Sequence, residues 1–385
     1  MESLEVQLTK GIKSILKESK PSLHEPRFNE KETKFVLDCL NSTFVSSVGE
    51  YVDKFENNLA KLTNCKRAIA IVNGTSALHL ALKIAGVKKN HEVICPTLTF
   101  IATCNAIKYV NAVPHFVDSN EKTLGIDPIA LREWLKISTI KKSNQTFNKN
   151  TGRVISAIIP MHTFGHLVEI DDLIDIAQEY NLELIEDAAE SLGSTFKGRH
   201  AGTFGKLGVI SFNGNKIITT GGGGAIITND DNLANLAKHL SSTARQKHKW
   251  RIKHDDIGFN YRLPNINAAL GCGQLENFSS LLASKRKLYD KYKEVFRSIK
   301  GIKLFSEPEF CKSNYWLQTL ILDKNEKHRL EKIICYTNEE GISTRPLWEL
   351  NHRTKMYNHC PRSPLPVAES LSERIINIPS SSFLV

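Results

Sequence analysis

From Arg67 onward the chain alternates short β-branched apolar runs with segments of helical period, and this alternation narrows its possible folds more than any other feature. The spacing predicts strands at Ala68–Val72, Glu92–Cys95, Val113–Val117, Val154–Pro160 and Glu183–Glu186, with helices beginning near Thr75, Phe100, Pro128 and Ile170. A helix between two strands returns the chain to the same end of the sheet, so successive strands run parallel and both faces of the sheet are covered. The expected class is therefore α/β, a large domain with a mostly parallel sheet flanked by helices. Two further apolar runs, Leu207–Phe212 and Gly224–Thr228, flank a glycine-rich turn and join the same sheet.

A chain of 385 residues exceeds what one hydrophobic core holds, since single cores stop growing near ~250–300 residues. Three regions are expected. Residues 1–30 form an N-terminal amphipathic helix and linker, on the helical spacing of Leu4, Leu8, Ile12, Ile15 and Leu16. Residues 31–263 form the large domain. Residues 264–385 form a long connecting helix, running from Ala268 toward Phe296, and a smaller α+β domain with a strand at Tyr315–Leu322 and a helix at Lys324–Tyr336. The polar stretch from Ile137 to Arg153 reads as an exposed loop.

Composition excludes several classes. No apolar run approaches the ~20 residues that span a bilayer, and Met1–Lys20 mixes apolar residues with charge, unlike a signal peptide. The eight cysteines form no C-x-x-C and no Cys/His pair at zinc-finger spacing, so no metal site is expected and a reducing, cytoplasmic setting is. The net charge of +10 comes from scattered basic residues. No nucleic-acid signature accompanies it, and an anionic small substrate or plain solubility explains it equally well.

Four segments carry candidate chemistry. The first, Ser211 through Lys216 to Gly224, sets a lysine after an apolar run and before four glycines, where backbone can approach a planar ligand. Taken alone, a surface lysine before a flexible turn is the simpler reading. The second, Leu184 to Gly193, ends an apolar strand in the pair Glu186-Asp187, at the carboxyl end of a parallel strand where ligands of open α/β sheets bind; capping the next helix is the ordinary role for such an aspartate. The third runs strand, glycine turn, helix through Asn73-Gly74-Thr75-Ser76, and its helix N-terminus suits a phosphate. The fourth, Gly258 to Leu270, places Asn260 and Arg262 in a polar cluster before a helix that Pro264 can start.

In their order, and in the five-residue step from Ser211 to Lys216, these segments resemble the DegT/DnrJ/EryC1/StrS family of sugar aminotransferases, a fold-type I pyridoxal-phosphate group, over nearly the whole chain. The resemblance implies that Lys216 holds the cofactor covalently and serves with Asp187 as the catalytic pair, Asp187 facing the pyridine nitrogen. It further implies that Phe100 stacks on the cofactor ring, that Gly74, Thr75 and Ser211 hold the phosphate, and that Asn260 reaches the phosphate of a neighbouring subunit in a homodimer. Many members carry His or Gln three residues after the aspartate; here that position is Glu190. A carboxylate beside the cofactor's ring oxygen is repulsive unless one of them holds a proton, so a raised Glu190 pKa is expected.

The same resemblance implies the reaction: L-glutamate gives its amine to the C4 keto group of a nucleotide-linked 4-keto-6-deoxy sugar. Phe44–Gly49, Met161–His166, the polar stretch near Lys149–Arg153 and Asn213–Gly224 look like the branch that acts on UDP-4-keto-6-deoxy-N-acetylglucosamine toward legionaminic acid or related surface glycans such as lipopolysaccharide. The alternatives are a GDP-4-keto-6-deoxymannose aminotransferase of the perosamine synthase kind and a non-catalytic, cofactor-binding regulator. Relatives that act as sugar dehydratases replace the lysine with histidine, whereas this chain keeps Lys216. His162, Arg345 and Trp348 are the candidate substrate contacts, Arg345 because a guanidinium binds phosphate in a bidentate way.

Overall fold

The computed structural model describes residues 2–16 and 20–385. The strands are, in chain order, β1 (Arg67–Ile71), β2 (Glu92–Pro96), β3 (Val113–Val117), β4 (Thr139–Lys142), β5 (Gln145–Asn148), β6 (Val154–Ile158), β7 (Glu183–Asp187), the short β8 (Thr195–Phe196) and β9 (Arg199–His200), β10 (Leu207–Ser211) and β11 (Gly224–Thr228), and all but β4, β5, β8 and β9 are those expected. The main sheet has the order β1-β11-β10-β7-β6-β2-β3. Strands β10, β7, β6, β2 and β3 run parallel, and β11 is antiparallel to both its neighbours. The carboxyl ends of β7 and β10 therefore emerge on one edge.

Helices cover both faces. They are α1 (Leu4–Ile15), α2 (Glu30–Asn41), α3 (Glu50–Thr63), α4 (Gly74–Ile84), α5 (Ile101–Tyr109), α6 (Pro128–Ser138), α7 (Ile170–Glu179) and α8 (Asp231–Ser241). Because strand side chains alternate, Ala68 and Ala70 enter the core under α2, α3, α6 and α7, whereas Ile69 and Ile71 enter the one under α4, α5 and α8. Ile185 is fully buried in the second core, and cutting such a side chain to alanine costs about 2–5 kcal/mol.

The segment expected to be an exposed loop at 137–153 instead contains the hairpin β4–β5, whose second strand pairs with the start of β6. Ser143 and Asn144 turn it with φ of 49° and 60°, the left-handed pair that a tight hairpin requires. Its polar composition concealed it, because the inward groups are polar too. Asn148 and Thr151 donate to the buried carboxylate of Glu92 at the amino end of β2, and Thr146 donates to the Tyr180 carbonyl.

The long helical pattern after Pro264 is likewise two helices, α9 (Asn265–Glu276) and α10 (Phe278–Phe296), meeting at Asn277. Helix α9 packs on α2 and α3, while α10 packs on α1 and on a small antiparallel sheet. That sheet comprises β12 (Ile302–Leu304), β14 (Gln318–Leu322), β15 (Arg345–Pro346) and β16 (Ile375–Ile378) in the order β12-β14-β16-β15, and the intervening β13 (Cys311–Lys312) pairs with β8. Helices α11 (Leu330–Glu339) and α12 (Pro366–Ser372) complete the C-terminal part. Leu4, Leu8 and Ile12 of α1 bury their stripe there, beside Tyr292 and Leu330. No helix among the described residues is long and apolar enough to cross a membrane.

Candidate active site

A cavity of about 540 Å³ opens where the carboxyl ends of β7 and β10 meet the first turn of α4. Its large-domain wall carries Gly74, Thr75, Phe100, Asp187, Glu190, Ser211 and Lys216, all of them expected from the sequence. Trp316, Arg345, Trp348 and Asn377 form the C-terminal wall.

The start of α4 is an anion cradle. Asn73 caps the helix by accepting the Ser76 N–H at 2.7 Å, and the N–H groups of a first helical turn otherwise have no intrahelical partner. Ser211 lies against this turn: a Cβ placed on Gly74 would sit 3.0 Å from the Ser211 Cβ. Gly224 backs the same turn, and a Cβ there would fall 2.7 Å from the Gly74 nitrogen. Close backbone approach is thus what these two glycines supply.

Asp187 ends β7 with its carboxylate buried. Thr103 donates to Oδ2 at 2.7 Å and the Ala189 N–H to Oδ1 at 3.2 Å, and the Thr99 hydroxyl lies 2.8 Å from that of Thr103. Burial pushes the Asp187 pKa up, opposed by Thr103, the Ala189 N–H and the charge of Lys216. A buried carboxylate so placed calls for a cationic partner in the cavity, which a protonated pyridine ring supplies.

Lys216 enters from the glycine-rich turn. Its Nζ lies 3.2 Å from Glu190 Oε1 and 3.7 Å from the centroid of the Trp316 ring, which shields it from water. Glu190 Oε2 accepts the Phe164 N–H at 2.9 Å. Phe164 reaches that position at a φ of 56°, a conformation that is uncommon for a bulky residue and concentrates at functional sites. Burial raises the Glu190 carboxyl to about 7 despite the nearby Lys216 charge.

The remaining candidates divide. Arg345 lines the cavity and makes no ion pair among the described residues. Trp348 packs between Phe100 and Phe164, with ring centroids 5.8 and 5.1 Å away. Phe100 is 47% exposed and faces the cavity. Asn260 is exposed and lies outside the cavity of its own chain. His162, expected at the substrate, is not brought there: its imidazole is fully buried, with Nε2 3.0 Å from Glu186. Glu186 points to the opposite face of β7 from Asp187 and also accepts the Gly202, Phe204 and Gly205 N–H groups, so His162 belongs to a structural network. The 149–153 stretch, expected as a mark of one branch of the family, lies away from the cavity. It sits on Glu92, the whole length of β2 away from the carboxyl edge.

Four cavity or cavity-supporting residues escaped the sequence reading: Ser22, His24, Thr103 and Trp316. Thr103 sits one helical turn after Phe100, which was a usable signal. Trp316 reads as core within an apolar strand. Ser22 and His24 lie between Pro21 and Pro26, which mark an extended segment but say nothing of its destination.

A cavity at the strand ends of such a sheet, with a shielded lysine, a buried carboxylate and an anion-binding helix start, defines a fold-type I pyridoxal-phosphate enzyme. The family model for the DegT/DnrJ/EryC1/StrS aminotransferase family matches residues 26–384. Relatives include the GDP-perosamine synthase of Escherichia coli O157:H7, 37% identical over 359 residues covering 93% of this chain and 92% of that protein. Another is the GDP-perosamine synthase of Caulobacter vibrioides, 34% identical over 366 residues and 94% of each chain. Among solved structures, Helicobacter pylori PseC, an aminotransferase involved in the biosynthesis of pseudoaminic acid, superposes with a TM-score of 0.85 at 24% identity, covering 95% of both chains. DesI in the presence of its TDP-sugar product gives 0.82 at 25% identity, covering 96% of this chain and 91% of that one. The chain belongs to the DegT/DnrJ/EryC1/StrS aminotransferase family. It is a sugar aminotransferase, a transaminase, and its cofactor is pyridoxal phosphate.

Proposed function

We propose that the enzyme moves an amino group from L-glutamate to the C4 keto group of a nucleotide-linked 4-keto-6-deoxy sugar, as a homodimer with shared sites. The observation that carries this reading is that Lys216 Nζ shares one cavity with Asp187, the α4 start and Arg345. When bound, pyridoxal phosphate withdraws electrons from the carbon that carries the transferred amine. The α4 turn with Ser211 would hold its phosphate, and Asp187 would hold its ring nitrogen protonated. Phe100 would cover one ring face. Lys216 Nζ would carry the proton to and from the amine-bearing carbon, with Trp316 packed over it to exclude water. Glu190, whose carboxyl pKa is raised by burial to about 7, would hold a proton beside the ring oxygen. Arg345 faces the diphosphate.

Asn260 serves a neighbour's phosphate in this reading, which its exposure outside its own cavity supports. A UDP-4-keto-6-deoxy-N-acetylglucosamine acceptor, on a route to legionaminic acid, is supported by the resemblance of Phe44–Gly49 and Asn213–Gly224. The inward-turned His162 and the remote 149–153 stretch give it no support. The second reading, a GDP-linked 4-keto-6-deoxymannose acceptor, is favoured by the GDP-perosamine synthases among the relatives. Incubating the holoenzyme with L-glutamate and UDP-, GDP- and dTDP-linked keto sugars, and identifying products by mass and NMR, separates the two. An intact holoenzyme that aminates none of them would refute the proposal.

A further inference from the structure

The cavity has a third wall that no sequence motif announced. Residues 22–25 line the cavity, and the stretch 21–25 is tied to the C-terminal part by hydrogen bonds. The Ser343 N–H donates to the Pro21 carbonyl at 3.2 Å, and the Ser380 N–H donates to the Leu23 carbonyl at 2.8 Å. The Glu25 N–H donates to Ser381 Oγ at 2.8 Å. Held in this way, Ser22 and His24 both line the cavity that contains Lys216. Ser22 Oγ and both ring nitrogens of His24 are out of contact with solvent, and none has a hydrogen-bond partner among the described residues. Burying polar atoms without partners is unfavourable, so a ligand toward which these two side chains turn on binding would complete them.

Chemistry narrows the ligand. Burial holds the His24 pKa well below the usual histidine range, and the charges of Lys285 and Lys216 act in the same direction. The imidazole is therefore neutral, with one nitrogen donating and the other accepting. A donor's carboxylates only accept, so they leave the accepting nitrogen unpaired, and Arg345 is the better partner for an anion. Hydroxyls of a sugar ring both donate and accept.

We propose that Ser22 and His24 form a hydroxyl-recognition subsite for the acceptor sugar, selective for the half-reaction that consumes it. This rests on the reading of the acceptor as a keto sugar. The two residues position the sugar ring and take no part in proton transfer.

The half-reactions can be measured separately on the holoenzyme. Loss of the bound cofactor's long-wavelength absorbance on adding L-glutamate reports the first. Single-turnover recovery of that absorbance with UDP-4-keto-6-deoxy-N-acetylglucosamine or GDP-4-keto-6-deoxymannose reports the second. His24→Phe keeps a planar ring without hydrogen bonds and is expected to leave the glutamate step within about twofold while lowering kcat/KM for the keto sugar roughly 10- to 100-fold. His24→Asn, which retains a donor and an acceptor, restores part of the loss, and Ser22→Ala gives a smaller deficit in the same step. Equal losses in both steps would show a packing role and overturn the proposal, as would no loss in either. Wild-type enzyme that completes the glutamate step and turns over neither keto sugar refutes the acceptor reading itself, and the subsite falls with it.

Discussion

Glu190 Oε1 lies 3.2 Å from Lys216 Nζ, while its Oε2 accepts the Phe164 N–H at 2.9 Å. One buried carboxyl thus joins Lys216 to a strained turn. Burial raises its folded-state pKa from 4.5 to about 7. Between these values the folded protein binds more protons than the unfolded chain, so this group makes stability fall as pH rises through that window. The effect is on the order of 3 kcal/mol, at about 1.4 kcal/mol per pKa unit. Glu190→Gln should remove this component, leaving apoprotein stability flatter across the window. Urea denaturation at several pH values measures it. In the holoenzyme the same substitution should change the pH dependence of the cofactor absorbance.

Thr103 holds the buried carboxylate of Asp187 by a hydrogen bond from its hydroxyl. Thr103→Val keeps the side-chain shape and deletes the donor 2.7 Å from Oδ2. A hydrogen bond to a charged group contributes about 1.5–3 kcal/mol, so turnover should fall roughly 10- to 100-fold. Steady-state kinetics with cofactor in excess tests this. Unchanged kcat would remove Thr103 from the site.

Gly224→Ala should loosen the phosphate cradle. The added methyl would fall 2.6 Å from the Asn73 carbonyl carbon and 2.7 Å from the Gly74 nitrogen, so the first turn of α4 must move relative to Ser211. Backbone cannot yield as a flexible side chain does, and overpacking of this kind costs about 1–3 kcal/mol. Equilibrium dialysis should show pyridoxal phosphate bound roughly tenfold more weakly, with a lower Tm for the holoenzyme.

Lys216→Ala and Asn260→Ala should each be inactive alone and complement each other when mixed. Subunit exchange pairs an intact Lys216 from one protomer with an intact Asn260 from its partner, so one complete site forms in each heterodimer. Borohydride reduction should fix cofactor onto the Asn260→Ala chain and leave the Lys216→Ala chain unlabelled. Mixtures that stay inactive after exchange would place Asn260 outside the shared site.

Much of this molecule was legible because its signals are local. The strands of the main sheet announce themselves because both faces are buried, so Ala68 through Ile71 reads as one apolar run. Asp187 and Gly74 stood out because each is at a strand or helix end, and Lys216 because it precedes a run of four glycines, places where the chain's own pattern changes. The β4–β5 hairpin was not, since its inward Thr146 and Asn148 satisfy polar groups that arrive from other elements. Asn277 was not either, because apolar residues continue on both sides of the break.

The sequence by itself determined the α/β class, because helical period and strand alternation act over a few residues, and its resemblance to the family identified the cofactor. Tertiary structure alone decided which neighbours face the cavity. Adjacent residues on a strand point to opposite faces, which sends Asp187 into the site and Glu186, with His162, away from it. It also brought Ser22 and His24 over the site from the other end of the chain, through hydrogen bonds to residues near the C-terminus that no local pattern specifies.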